Sequence, residues 1–171
     1  MQKPKVGCVG AGVVGKAMQR LCGPSTIMYD PHVPEYAGNR DPINTCDVVF
    51  INVPTPMSAD GSCDTSIVEA AVAWIQAPLI IIRSTVSPGT TDRLAAKYNK
   101  RIVFQPEYLG ETPAHVFGEM AERAFVVLGG RPEDVSAAAD FYKHYYNAYV
   151  RFYFCNALTA ELCKYMENAF Y

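Results

Sequence analysis

A glycine-rich turn near the start of the chain has residue types and spacing suited to binding a phosphate-containing ligand. Gly10, Gly12 and Gly15 fit the pattern G-x-G-x-x-G, between an apolar strand pattern and a helical pattern. Gly10 permits a tight turn, Gly12 leaves room for a pyrophosphate beside the backbone, and Gly15 lets helix and strand pack closely. The amides of Val13 and Val14 then open the helix and face the phosphates. The sequence therefore predicts a dinucleotide site at this turn.

Asp30 indicates which dinucleotide binds. It ends the second apolar segment, twenty positions after Gly10. An acidic residue there accepts hydrogen bonds from the adenine ribose hydroxyls, and its charge would repel a 2′-phosphate. Pro31 and His32 follow, with no arginine adjacent, so NAD is favoured over NADP. The alternative is that the glycines form only a structural turn and that Asp30 only caps a loop.

Polar and proline residues gather where three further predicted strands end. These residues are Pro54-Thr55-Pro56, Ser84-Thr85 and Pro106-Glu107. Ligands of a doubly wound sheet bind at the carboxyl ends of its strands. Such residues also form ordinary turns, but together with Asp30 they follow four strands and favour a binding edge. We expect the cofactor site to include Pro54, Thr55, Ser84 and Thr85.

The elements that would position these residues alternate between strand and helix. Strands are predicted at Lys5–Val9, Thr26–Tyr29, Asp47–Val53, Leu79–Ile82, Ile102–Phe104, Phe125–Leu128 and Val150–Phe154. Helices are predicted at about Val13–Cys22, Ile67–Ile75, Thr91–Tyr98, Pro132–Tyr146 and Ala157–Tyr171. Strands without polar alternation are typical of a parallel sheet covered by helices. The predicted fold is α/β: a doubly wound, mainly parallel Rossmann-type sheet with helices on both faces.

Composition narrows the function further. The 171 residues are 50% hydrophobic and 19% charged, which suits one globular domain. The net charge is -2 without a Lys/Arg cluster, which argues against a nucleic-acid partner. The apolar run from Val6 to Val9 is too short for a signal peptide or a membrane span, so we expect a cytoplasmic protein. The six cysteines include no Cys-x-x-Cys pair, so we expect reduced thiols and no metal site.

Taken together, the motifs resemble the UDP-glucose/GDP-mannose dehydrogenase family. The matching segments, in family order, are Gly10–Gly15, Val53–Pro56, Ser84–Thr91, Pro106–Glu111, and Ala160–Lys164 with Asn168. The resemblance implies oxidation of a sugar C6 alcohol to a carboxylate by two NAD⁺ in succession. The Pro106–Glu111 loop is more similar to the UDP-glucose branch than to the N-acetyl-mannosaminuronate branch. The expected substrate is therefore a nucleotide sugar, UDP-glucose.

The resemblance also implies roles for four catalytic residues. Thr85 and Glu107 would hold a catalytic water and manage the proton of the alcohol. Lys164 and Asn168 would donate to the substrate oxygen, and their spacing of four places both on one helix face. Each has a structural alternative: Thr85 caps a turn, Glu107 is a solvated loop charge, and Lys164 is an exposed lysine that pairs with Glu161.

The loop after Glu107 would contribute further contacts. The expected substrate residues there are Tyr108, Leu109 and Glu111, and Glu111 would also lie near the nicotinamide. Glu111 has the same alternative as Glu107, a solvated loop charge. The family usually has an arginine where this chain has Gly110, which weakens any inference about sugar or phosphate contacts from the loop.

The resemblance divides the chain and leaves three functional hypotheses. Residues 1–155 would form the NAD-binding domain and residues 156–171 the start of a central connecting helix, with the C-terminal domain and its nucleophilic cysteine absent. This helix would carry an apolar face without a partner inside the chain, formed by Leu158, Leu162, Tyr165, Ala169 and Phe170. Such a face would lead to self-association or pairing with a complementary C-terminal chain. The hypotheses are an enzyme portion, a standalone NAD-binding module without turnover, and another hydroxyacid-type dehydrogenase. The Ser84–Thr91 and Pro106–Glu111 segments argue against the third.

Overall fold

Strands and helices alternate in the computed structural model, which describes residues 3–108 and 124–170. The strands are β1 (Val6–Val9), β2 (Ile27–Tyr29), β3 (Val48–Ile51), β4 (Leu79–Ile82), β5 (Ile102–Phe104), β6 (Phe125–Gly129) and β7 (Arg151–Cys155). The helices are α1 (Val13–Cys22), α2 (Arg40–Ile43), α3 (Ser66–Trp74), α4 (Thr90–Tyr98), α5 (Pro132–Tyr142) and α6 (Ala157–Phe170).

The strands form one seven-stranded sheet in the order β2-β1-β3-β4-β5-β6-β7. β1 to β5 pair in parallel, β6 runs antiparallel to β5, and β7 runs parallel to β6. The predicted mainly parallel Rossmann-type sheet is therefore confirmed. The chain order reverses at β1, which lies between β2 and β3. Crevices at such switch points, outside the carboxyl ends of the strands, are where ligands bind.

Helices cover both faces of the sheet. In β3, Val48 and Phe50 face the core that includes α1 and α5. Val49 and Ile51 face the opposite core, which includes α3 and α4. Because both faces are packed, the central strands carry no polar alternation.

The structure differs from the sequence-based prediction in three places. α5 ends at Tyr142 rather than Tyr146, because the aromatic periodicity continues through a turn in which Tyr146 stays buried. The sequence did not predict α2, which is only four residues long and contains a proline. β7 is not buried on both faces: as an edge strand it leaves Tyr153 and Phe154 more than half exposed.

α6 packs one face on the protein and leaves the other open. Its inner face contacts β5, β6 and α4. The outer face exposes Leu158, Leu162 and Met166, as the sequence led us to expect for the first two, while Tyr165 is half-buried. Across the described parts of the chain, no helix has both the length and the apolar character needed to cross a membrane.

Candidate functional site

Two positions of the glycine turn accept only glycine. Gly10 has φ +95°, and a Cβ there would lie 2.4 Å from the carbonyl oxygen of Asn52. A Cβ at Gly15 would lie 2.0 Å from the carbonyl oxygen of Gly10. The Gly10 N–H donates to the Tyr29 carbonyl at 2.8 Å, which ties the turn to the end of β2. Neighbouring backbone atoms therefore exclude a side chain at both positions.

Gly12 differs from its two neighbours in the motif. A Cβ at Gly12 would meet no atom within 4 Å, so the space beside it is open. α1 begins at the next residue, Val13, which is exposed, and Val14 lines the neighbouring cleft. Open space beside the first amides of a helix suits a pyrophosphate, because the helix dipole and the N–H groups both favour negative charge. The residues present fit the phosphates of NAD.

The Asp30 carboxylate stabilises the same turn by hydrogen bonds. Its Oδ2 accepts the Ala11 N–H at 2.9 Å, and its Oδ1 accepts the His32 N–H at 3.0 Å. The contact with Ala11 spans 19 positions, so Asp30 does more than cap its own loop. Each carboxylate oxygen has a further lone pair that can accept a ribose hydroxyl.

A cleft of about 270 Å³ lies at the carboxyl ends of β3, β4 and β5, beside α6. It brings together all four predicted catalytic residues, which are Thr85, Glu107, Lys164 and Asn168. Thr85 is also a predicted cofactor residue, and the cleft includes four others, which are Val14, Pro54, Thr55 and Ser84. Asn52, Val53 and Arg83 complete its lining. Side chains separated by more than a hundred residues along the chain therefore share one small space.

A buried ion pair contributes to the lining of this cleft. Arg83 and Glu107 pair directly, with side chains 0% and 7% exposed. This burial excludes the alternative in which Glu107 is a solvated loop charge. Two charges taken out of water persist only as a pair, because each alone would carry a large desolvation cost. Sequence reasoning missed Arg83, although an arginine directly after the apolar strand β4 is a usable signal.

The Ser84–Thr85 segment joins neighbouring loops of the cleft. The Ser84 hydroxyl donates to the Val53 carbonyl at 2.7 Å. The Thr85 carbonyl accepts the Cys63 thiol at 3.6 Å. A second hollow of about 410 Å³ adjoins the cleft, sharing Thr55, Thr85 and Asn168 with it and adding Cys63 and Tyr165. Burial, followed by a hydrogen bond with Cys63, raises the pKa of Tyr165.

Lys164 lies at the side of the cleft. Its side chain is 13% exposed, and its ammonium pairs with Glu167 at 3.3 Å. The ammonium also lies 5.4 Å from the centre of the Tyr108 ring. The alternative pairing with Glu161 is wrong, because that carboxylate is fully buried and accepts from other donors. The remaining loop residues, Leu109 and Glu111, lie outside the described residues.

The six cysteines are free thiols. Burial raises the pKa of Cys22 to about 12 and that of Cys46 to about 11, and it raises the pKa of Cys8 as well. Thiols with raised pKa values are poor nucleophiles because the thiolate is the reactive form. Cys63 borders the second hollow, a placement that its sequence context gave no reason to expect.

A comparison with known families and proteins adds a second line of support. Residues 37–147 match the NAD-binding domain of the UDP-glucose/GDP-mannose dehydrogenase family. A putative UDP-glucose 6-dehydrogenase of Bacillus subtilis, YtcA, is 31% identical over 144 residues, 77% of this chain and 33% of that protein. A UDP-N-acetyl-D-mannosamine dehydrogenase of Methanocaldococcus jannaschii is 32% identical over 134 residues, 72% of this chain and 31% of that protein.

A solved structure extends the similarity to nearly the whole chain. A UDP-glucose dehydrogenase from Pyrobaculum islandicum superposes with a TM-score of 0.79 at 24% identity, over 99% of this chain and 50% of that one. The similarity establishes the same fold from the glycine turn to α6. The chain thus spans about a third of the length of the two relatives and half of the solved structure.

Proposed function

Because this chain belongs to the UDP-glucose/GDP-mannose dehydrogenase family, whose NAD-binding domain it carries, we propose that its cleft serves the oxidation of a nucleotide-sugar alcohol. Its cofactor is NAD. The proposed reaction converts the C6 alcohol of UDP-glucose to a carboxylate. The observation that carries the proposal is the convergence of Thr85, Glu107, Lys164 and Asn168 on one cleft beside the start of α1.

The cofactor-binding residues span the switch between β1 and β3. Asp30 would accept hydrogen bonds from the adenine ribose, and the open space at Gly12 would take the pyrophosphate. Thr55 and Thr85 would border the nicotinamide end of the cleft. When bound there, NAD supplies the hydride acceptor.

Four side chains would handle the alcohol and its proton. Thr85 and Glu107 would hold a water that accepts the alcohol proton, with the Glu107 carboxylate kept charged by Arg83. The Lys164 ammonium and the Asn168 amide would donate to the same oxygen as negative charge develops on it. The low exposure of Lys164 and Glu107 strengthens these interactions, because less water screens them.

The second oxidation, from aldehyde to carboxylate, requires a thiolate that captures the aldehyde. We propose that a further segment supplies it, either in the same longer protein or in a complementary chain. The exposed face formed by Leu158, Leu162 and Met166 would then pack against that segment or against a second copy.

A second substrate has specific support. The M. jannaschii relative acts on UDP-N-acetyl-D-mannosamine, and its identity to this chain is as high as that of the B. subtilis relative. UDP-glucose remains the first choice because of the Pro106–Glu111 segment. A standalone NAD-binding module without turnover is the alternative from a different functional class.

Complementation in trans tests the proposal. The chain is mixed with the C-terminal half of the B. subtilis relative, NAD and either UDP-glucose or UDP-N-acetyl-D-mannosamine, and NADH absorbance is followed. We expect NADH with UDP-glucose. Glu107→Gln and Lys164→Ala should lower the rate at least roughly 100-fold. The exposed matched controls Glu133→Gln and Lys143→Ala should leave it unchanged.

Three other outcomes of the complementation assay would change the proposed function. NADH formed only from UDP-N-acetyl-D-mannosamine would move the substrate to the second candidate. No NADH with any family C-terminal half, while NAD still binds, would favour the binding module. Complete oxidation by the chain alone would contradict the requirement for a supplied thiol, and Cys63 would be the first thiol to replace.

A further inference from the structure

A buried carboxylate connects α6 to the start of α4. Glu161 is 0% exposed, which for a charged side chain is costly unless hydrogen bonds replace water. Its Oε2 accepts the Gly89 N–H at 2.5 Å, and its Oε1 accepts the Thr91 N–H at 2.8 Å and the Thr91 hydroxyl at 2.6 Å. These three hydrogen bonds join residues 70 to 72 positions apart.

The donors belong to the N-terminus of α4. Gly89 is the N-cap residue, with φ +90°, and has no side chain with which to cap the helix. The first amides of a helix have no partner inside it, and the helix dipole favours an anion beside them. Glu161 therefore supplies from a distant helix the cap that the local sequence lacks.

Small residues accompany Glu161 on the fully buried face of α6. Among the described side chains of this helix, the other fully buried residues are Ala157 and Ala160, and Ala160 packs on Gly129, where an added Cβ would lie 2.4 Å from it. Tyr165, which follows Glu161 by one turn, is half-buried beside Cys63. Alanine contacts allow a close approach of helix and sheet, but their short side chains resist rotation of the helix weakly. The hydrogen bonds of Glu161 are directional, so they set the rotation of α6 about its axis.

That rotation decides where the cleft side chains of α6 lie. Glu161, Lys164 and Asn168 are spaced by three and four residues, so they occupy one side of the helix. With Glu161 held on α4, Lys164 and Asn168 line the cleft together with Thr85 and Glu107. The cap on α4 and the placement of the cleft donors are thus two consequences of the same contacts.

We propose that Glu161 is a positioning residue: through the N-terminus of α4 it holds α6 in the rotation that presents Lys164 and Asn168 to the cleft. The proposal rests on the proposed function only for what these two side chains do in the reaction. Their placement can be measured without turnover.

The test compares Glu161→Gln with Glu69→Gln in the 171-residue chain. Glu69 is a matched control, because it also binds α4 by accepting from Arg93 and Lys97, but at the surface and outside the lining of the cleft. Two readouts are taken under conditions where both variants remain folded: amide exchange at Gly89 and Thr91, and the rate at which acetic anhydride labels Lys164.

In Glu161→Gln we expect both exchange at Gly89 and Thr91 and labelling of Lys164 to rise at least roughly tenfold, the scale of hydrogen bonds lost from a charged group. Glu69→Gln should change neither. NAD affinity should stay within about twofold of wild type in both variants, because Glu161 bonds to Gly89 and Thr91 and not to the glycine turn or Asp30. Unchanged labelling of Lys164 in folded Glu161→Gln would overturn the proposal. If that variant does not fold, Thr91→Val, which removes one donor, must raise labelling by a smaller factor or the proposal fails.

Complementation with the C-terminal half separates this proposal from the proposed function. In that assay Glu161→Gln should lower kcat and leave the KM for NAD unchanged, at an equal concentration of folded protein. Loss of stability alone would lower the amount of folded protein, and the kcat of the folded fraction would stay at the wild-type value. If wild type forms no NADH, the proposed function fails, and the exchange and labelling results still decide the role of Glu161.

Discussion

The two ends of the cleft are built in different ways. The glycine turn and Asp30 lie within about twenty residues of each other. Their site is shaped by backbone amides, by glycines that leave space, and by the Asp30 carboxylate that accepts one of those amides. The other end draws Thr85, Glu107 and Lys164 from three separate parts of the chain. It relies on charges that are buried and held by other charges or by helix ends.

The difference bears on how each region tolerates change. Backbone contacts fail when an added atom meets a neighbouring main chain, which is a steric effect and independent of pH. Buried charges fail when one partner is removed, because the other is left without compensation in a low-dielectric interior. The nucleotide end should therefore be sensitive to added volume and the catalytic end to lost charge.

Breaking the Arg83–Glu107 pair should have the largest effect. Arg83→Met should lower the free energy of unfolding by about 3–5 kcal/mol, because Glu107 is left charged and buried. The double variant Arg83→Met with Glu107→Met should recover much of that loss. Urea denaturation measures both. A loss below about 1 kcal/mol in the single variant, the range of an exposed pair, would remove the contrast between the two ends.

Adding a methyl group to the glycine turn should have the next largest effect. Gly15→Ala should cost about 1–3 kcal/mol of unfolding free energy, because its Cβ would meet a backbone oxygen rather than a movable side chain. Gly12→Ala is the matched control, since its Cβ meets no atom, and its stability should change by less than about 1 kcal/mol. Its affinity for NAD should fall, however. Equal stability losses in the two variants would contradict the geometry described for the turn.

Asp30 tests the cofactor preference. Wild type should bind NAD more tightly than NADP, and Asp30→Asn should weaken NAD binding by about 1–2 kcal/mol, the scale of hydrogen bonds lost from a charged group. The same change should improve NADP binding relative to NAD, because the repulsive charge is gone. Calorimetric titration of both cofactors is the measurement. NADP binding equal to or tighter than NAD binding by wild type would rule out the assigned role of Asp30.

The surface ion pairs of Glu69 should have the smallest effect. Hydrogen bonds from Lys97 and then Arg93 lower the pKa of Glu69 from 4.5 to about 2. A lowered carboxyl pKa contributes stability above pH 4.5 that is lost as the pH falls towards 2. Because the pairs are exposed, Glu69→Gln should cost less than about 1 kcal/mol at pH 7, and the difference should shrink between these two pKa values. A pH-independent difference in thermal stability would contradict this assignment.

Sequence reasoning succeeded where a short segment determines its own structure. The glycine spacing, the unbroken apolar strands and the residues that end them predicted the sheet and most of the cleft lining. It failed for Glu161, because a glutamate on an amphipathic helix is usually exposed and its donors lie some 70 positions away. It missed the ion pair of Arg83 for the same reason: the sequence contains both charges, but only the fold brings them together.

The most direct test of the account is whether one NAD molecule spans both ends of the cleft. Amide NMR spectra of the chain are recorded during titration with AMP and, separately, with NAD. We expect AMP to shift the signals of Gly12, Val14 and Asp30 alone, and NAD to shift these together with Thr55, Thr85 and Lys164. The same set of shifted signals with both ligands would show that the nicotinamide does not reach Thr85 and Lys164, and would contradict the proposed active site.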